Sequence, residues 1–328
     1  MYIPADPKLW SGRVDEEDGV AGYRWHQVVS QDSAAAAGVA LLGFASDRGV
    51  QLNKGRVGAC DGPTALRQAL ANHAWHHDVG LYDAGDVRVG SDLAAGQQEY
   101  ARRVAELLAS EHFVVGLGGG HEIAWASYLG CRHWLDAHAP GKTLGILNFD
   151  AHFDLRQPAP DASSGTPFFQ VAEHCQAQGH EFHYACLGVA RTSNTKALFS
   201  RANSLGVDYL LDVACKAGDA GPFVQRFIDK VDYLYVTTCM DVFPAAIAPG
   251  VSAPAALGID PDWVLATLAE ISSYCSDAGV QWLMADIAEL APVLDRDGMT
   301  ARLAARLIDE ILSMHHQFRL PASQVTSR

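Results

Sequence analysis

The chain has 328 residues, 49% hydrophobic and 19% charged, enough to bury a large core as one α/β domain or two smaller ones. Its 38 acidic residues against 24 Lys and Arg leave a net charge of −14, which excludes the basic footprint of a nucleic-acid or anionic-membrane binder and favours a small-molecule partner. No apolar run reaches the roughly 18 residues of a membrane span, the opening MYIPADPKLW lacks a secretory apolar core, and seven cysteines are scattered without C-x-x-C pairs, so the expectation is a cytoplasmic protein with reduced thiols.

In chain order, GVALLGFA (38–45) reads as a buried strand and PTALRQALANHAW (63–75) as a helix. The tripeptide HHD at 76–78, with His73, reads as a solvated histidine face. Next come strand HFVVGLG (112–118), helix EIAWASYLGCRHWLDAH (122–138) and strand TLGILNF (143–149). Further strands are expected at 182–190, 207–211, 232–241 and 280–288, with helical patterns near 194–204, 221–230 and 260–275 and a last helix over 299–315. Such alternation marks crossover units on a parallel sheet. The expected architecture is a single α/β domain: a mainly parallel sheet of about eight strands flanked by helices, its core spanning 38–315 behind an N-terminal extension of about 1–37. No repeat or linker divides it. The longest irregular stretch, QPAPDASSGTP (157–167), follows a strand directly and is expected to wall a site, because such sheets bind ligands beyond the carboxyl ends of their strands.

The chemistry concentrates at three strand ends. LNFDAHFDLR (147–156) carries Asp150, His152 and Asp154 at alternate positions, and residues two apart in an extended chain share a side. Two carboxylates and an imidazole suit Mn²⁺ or a borderline ion such as Zn²⁺, Fe²⁺ or Ni²⁺. Alone, this stretch reads equally as a strand end with solvated acids. GLGGGH delivers His121 through three glycines that permit a tight turn; it lacks the G-x-G-x-x-G spacing and lysine of a phosphate loop. YLYVTTCMD delivers Asp241 after another strand. Three strand ends bearing ligand types point to one metal site.

The segments GGGHE, NFDAHFD and MDVFPAAIAPGVSAP resemble, in order and spacing, the metal-binding motifs of the ureohydrolases, the arginase and agmatinase family, over about residues 38–315. Within it, NKGRVGACDGPTALR, SSGTPF, SNT and APGVSAPAALGI look most like the formimidoylglutamase branch. The resemblance implies an arginase-like three-layer α/β/α fold, a homo-oligomer, and two Mn²⁺ ions per chain. His121, Asp150 and Asp154 would hold one ion, His152 and Asp241 the other, with Asp150 shared. The family places a second bridging aspartate where this chain has Cys239, and many relatives carry an acid where it has Pro244. Three outcomes stay open: the Cys239 thiolate ligates and shifts preference to a softer metal, it faces away, or the pair reduces to one ion.

The resemblance further implies hydrolysis of the amidine C–N bond of N-formimidoyl-L-glutamate to L-glutamate and formamide by metal-activated water, within histidine degradation. Glu289 matches the family's substrate-binding glutamate and would face the amidinium, although an acid after a strand is also a common helix cap. Asp154 would assist proton transfer. The arginase branch has a histidine near the position of Ser164, so the proton shuttle here is unassigned. A dicarboxylate substrate calls for planar cationic forks: Arg156 and Arg191 are the preferred pair, with Asn194, Ser164 and Arg56 nearby. Two alternatives accompany this reading. One is a guanidino-compound hydrolase acting on agmatine, guanidinobutyrate or arginine; the other is a catalytically impaired metal-binding family member.

Overall fold

The computed structural model describes residues 1–32, 37–216 and 219–319, with side chains to 315. Its centre is a nine-stranded sheet: β1 Tyr2–Ile3, β2 Val39–Ala45, β3 Leu81–Arg88, β4 Phe113–Leu117, β5 Leu144–Phe149, β6 His183–Val189, β7 Asp208–Leu211, β8 Tyr233–Cys239 and β9 Gln281–Ala288. The spatial order is β1-β3-β2-β4-β9-β8-β5-β6-β7. Every pair is parallel except β1 against β3.

Seven strands stand where the apolar runs place them, and β1 and β3 bring the total to nine, against about eight expected. β3, LYDAGDVR, carries two acids inside a strand because Arg67 pairs with both. Its guanidinium, 1% exposed, lies 2.8 Å from Asp83 Oδ1 and 2.7 Å from Asp86 Oδ1. Gly43 on the neighbouring strand makes room for that arrangement, since a Cβ there would stand 1.7 Å from Asp86 Oδ1.

Side chains alternate across the parallel strands, so the sheet buries both faces. Leu41, Val115, Leu147, Leu187, Val236 and Ile287 join one core, packed under helices Gly62–Leu70, Gly221–Ile228, Pro261–Ala278 and Met299–Arg319. Leu42, Val114, Ile146, Cys186, Tyr235 and Met284 join the other, under helices Leu93–Ala109, Ile123–His138, Pro167–Gln178 and Lys196–Ser204. Each fully buried aliphatic side chain contributes roughly 1.5–3 kcal/mol, so two such faces hold the sheet without help from a ligand. Among the described residues no helix is long and apolar enough to cross a membrane.

His76 and Asp78 are exposed as expected, but His77 differs from the solvated reading. His77 is buried, its Nε2 lies 3.0 Å from Asp309 Oδ1, and its ring meets Trp25 and Trp75 edge-on. A histidine between two indoles and a carboxylate is part of the packing between the amino-terminal segment and the last helix.

Strand order positions the site. The chain leaves β5 outward toward β6 but leaves the adjacent β8 the opposite way toward β9, a reversal of winding direction of the kind where open α/β sheets bind ligands. The four adjacent central strands, β4, β9, β8 and β5, all point their carboxyl ends at this place.

Candidate metal centre

Each of the four central strands ends in functional side chains. After β4 the three glycines run against other backbones: a Cβ on Gly118 would stand 2.3 Å from Ile287 O, and one on Gly119 1.8 Å from Ser46 O. Only glycine fits there, and the tight passage delivers His121. β5 delivers Asp150, His152 and Asp154, β8 ends at Cys239 and continues through a short 3-10 turn to Asp241, and β9 ends beside Glu289. Two of these, Asp154 (φ +47°) and Glu289 (φ +67°), hold left-handed backbone conformations. Such conformations persist where the surroundings over-determine them, as at functional sites.

The donor atoms converge in two overlapping groups. His121, Asp150 and Cys239 place one ligand atom each within 4.8 Å of one another, as do Asp150, His152 and Asp241. Asp150 belongs to both. His121 Nδ1 lies 2.9 Å from an oxygen of Asp150 and 2.9 Å from one of Asp154, yet makes no hydrogen bond to either. His152 Nδ1 lies 3.2 Å from Asp241 Oδ2, and the buried Asp241 Oδ1 has no partner. Buried polar atoms crowded together without hydrogen bonds fit a cation-binding site.

Surrounding groups orient these donors. With His121 Nε2 donating to Thr237 Oγ1 at 3.1 Å, the Nδ1 lone pair is left to face the carboxylates, the outer-shell arrangement usual for metal-binding histidine. Asp150 Oδ1 accepts from His152 N–H at 2.7 Å and Oδ2 from Asn148 Nδ2 at 3.1 Å. Glu289 Oε1 accepts from His121 N–H at 2.8 Å.

The electrostatics describe a pocket short of positive charge. Burial and neighbouring carboxylates raise the Cys239 thiol and the Glu289 carboxyl, and burial with Asp150 raises Asp154 to about 6. Burial works against charged His121 and His152, but their carboxylate partners prevail and raise both. Burial would likewise raise Asp150, but His121 and His152 prevail and hold it low. A divalent cation would relieve these conflicts, and the set of three carboxylates, two imidazoles and one thiol fits one or two such ions. Cys239 therefore faces the donors; the outcome in which it points away is not what the structure contains.

Above the donors is a cavity of about 350 Å³. Its lining includes His121, His152, Asp154, Cys239, Asp241 and Glu289, together with Arg56, Arg156, Ser164 and Asn194. The irregular stretch 157–167 does contribute to one wall, through Ser164, beside Arg156 just before it. Ser164 Oγ accepts from Asn53 Nδ2 at 3.3 Å.

Three expected substrate contacts need correction. Arg191 is exposed and is not among the residues lining the cavity: it leaves a turn on β6, outboard of β5, that is tied back by Ser193 N–H to Ala190 O. Asn194 lines the cavity but its amide is fully engaged. Its Oδ1 accepts from Phe153 N–H, and its Nδ2 donates to Ala151 O and Ala190 O, so it holds the 150–154 loop in shape. Arg56 donates from Nε to Ser252 O and from Nη2 to Val251 O, clamping one loop to another. Sequence reasoning missed Asn53 and Lys54, which also line the cavity. The signal was present in NKGR, where a lysine occupies the helix-ending position that a glycine usually takes.

Residues 37–314 match the model of the arginase family, and the chain belongs to that family. A formimidoylglutamase of Aeromonas hydrophila is 49% identical over 319 residues, covering 95% of this chain and 99% of that one. One of Hahella chejuensis is 48% identical over 310 residues, covering 93% and 94%. Among solved structures, formimidoylglutamase from Bacillus subtilis superposes with a TM-score of 0.79 at 22% identity, covering 94% of this chain and 96% of that one. Trypanosoma cruzi formiminoglutamase with Mn²⁺ gives 0.74 at 21%, covering 95% and 98%. These superpositions confirm the arginase-like fold.

Proposed function

We propose that this enzyme hydrolyses N-formimidoyl-L-glutamate, adding water across the amidine carbon–nitrogen bond to release L-glutamate and formamide. The observation that carries the proposal is identity of 48–49% over almost the whole chain with formimidoylglutamases. The cavity supports it: a polar floor of metal donors lies beneath a wall bearing a free cationic fork, Arg156, for which no described residue supplies a hydrogen bond or ion pair. Agmatine would leave that cation with no carboxylate to bind, and the likeness to formimidoylglutamases does not favour the guanidino alternative.

Two Mn²⁺ ions per chain are proposed, His121, Asp150, Asp154 and Cys239 serving one and Asp150, His152 and Asp241 the other. When bound, such ions supply hydroxide at neutral pH by lowering the pKa of water. Cys239 adds one soft donor and widens the range toward Zn²⁺ or Fe²⁺. The chain's own residues do the rest. Glu289 faces the cavity as the carboxylate for the amidinium. Arg156 and Ser164 bind the glutamate portion. Asp154 is placed to accept a proton from the attacking water and return it to the departing nitrogen. All the cysteines are free, which supports a reducing, cytoplasmic setting; a role in histidine degradation follows from the substrate, and a homo-oligomer follows from the family resemblance.

The test is hydrolysis of N-formimidoyl-L-glutamate, agmatine, 4-guanidinobutyrate and L-arginine by Mn²⁺-loaded protein, following formamide and urea. Formamide from the first alone is expected; urea production with the first substrate untouched would overturn the reading.

A further inference from the structure

Helix Arg48–Leu52 ends against the cavity in a paired cap: Lys54 N–H donates to Gln51 O at 3.0 Å and Gly55 N–H to Val50 O at 2.8 Å. This is the Schellman arrangement, whose left-handed position is usually held by glycine. Here Lys54 holds it, at φ +62°, although a residue with a Cβ is strained there. A glycine stands one place later, where it is not needed for this purpose. The strained lysine lines the cavity, and among the described residues its ammonium makes no hydrogen bond or ion pair.

Three cations line this cavity: Lys54, Arg56 and Arg156. Arg56 is committed to the carbonyls of Val251 and Ser252. Lys54 and Arg156 remain, on two different loops that meet at the 164–165 wall, where Asn53, beside Lys54, donates to Ser164 Oγ. Arg156 follows the ligand Asp154 by two residues, and its arm lies against the 164–165 wall, since a Cβ on Gly165 would stand 2.9 Å from Arg156 Cδ. That ties Arg156 to the reacting end. In N-formimidoylglutamate the α-carboxylate is borne on the carbon attached to the reacting nitrogen, whereas the γ-carboxylate lies two methylenes farther out.

We infer that Lys54 is the residue that selects for the distal carboxylate, with Arg156 serving the proximal one; this rests on the substrate proposed above. The backbone strain at Lys54 is then a concession to binding, in a position where glycine would serve the fold better. The two roles predict effects of opposite sign, which a merely structural lysine would not give.

The experiment compares wild type, Lys54→Gly and Lys54→Met, all Mn²⁺-loaded, on N-formimidoylglutamate and on N-formimidoylglutamine, whose side chain ends in a neutral amide. For both variants KM for the glutamate compound should rise about ten- to a hundredfold, the loss of one charge-assisted hydrogen bond. Their kcat, and their KM for the glutamine compound, should stay near wild type. The thermal midpoint of Lys54→Gly should rise by roughly 2 °C as the strain is relieved, while that of Lys54→Met should not. Unchanged KM in both variants overturns the inference, as does an equal rise on both substrates, which would indicate a deformed loop. Wild type inactive on N-formimidoylglutamate would instead remove the substrate proposal from which the inference starts.

Discussion

Thr237→Val tests whether His121 is a metal ligand held in place from behind. Thr237 is fully buried on β8, and its hydroxyl is the partner of His121 Nε2 at 3.1 Å. Valine keeps the shape and removes the acceptor. The Nε2–H is then buried without a partner, at a cost of about 1–3 kcal/mol. The imidazole can recover by moving its proton to Nδ1, which is the atom that would bind metal. Loss of comparable outer partners weakens metal binding about 10–100-fold, or about 1.4–2.7 kcal/mol at 1.36 kcal/mol per tenfold. The two figures agree. The assay is apparent Mn²⁺ affinity by competition with a chelator, with kcat measured at limiting and saturating Mn²⁺. The expected result is weaker affinity, kcat largely restored by excess metal, and normal affinity in Thr237→Ser, which retains a hydroxyl. Affinity within twofold of wild type in Thr237→Val would refute the role assigned to this pair.

Asp150→Ala removes the carboxylate common to both donor groups; it should release metal and abolish hydrolysis while unfolding remains cooperative, as metal analysis and calorimetry would show. Activity in the metal-free variant would contradict the metallohydrolase reading. Arg156→Ala should act mainly through KM for N-formimidoylglutamate, at about 1.5–3 kcal/mol for a lost charge-assisted hydrogen bond; steady-state kinetics decide, and an unchanged KM would take Arg156 out of the binding site. Cys239→Asp exchanges a soft donor for a hard one and should bind two Mn²⁺ per chain more tightly. Equal Mn²⁺ content and affinity in the two proteins would mean that Cys239 does not contact the ions.

The central strands were legible because parallel strands buried on both faces read as continuous apolar runs, and the ligands were legible because they follow those runs at regular spacing. β3 was not, because Asp83 and Asp86 look unsuited to a strand until Arg67, sixteen residues before Asp83, is known to lie against them. The directions of the loop cations were also hidden. Arg156 and Arg191 both follow a strand, but Arg156 follows the central β5 and Arg191 the more peripheral β6. Asn194 was found by its nearness, yet its work is to hold the ligand loop, a distinction that depends on which way an amide points. Lys54 had no role assigned within NKGR, and its backbone conformation sets it apart.

The position of β9 bears on how this protein comes into being. It is the last strand of the chain, yet it stands between β4 and β8 and separates them in the finished sheet. During synthesis from the amino terminus, His121 and the Asp150–Asp154 loop emerge long before the strand that joins their two half-sheets exists. The nascent chain therefore carries isolated ligands on incomplete edges, and the half-sheets present unpaired strands until β9 arrives and closes both. Asp150, His152 and Asp241 follow β5 and β8, which pair directly, so that donor group can form within one half-sheet, whereas His121 stands on the other. The donor group that includes His121 is completed only when the last strand joins the two halves.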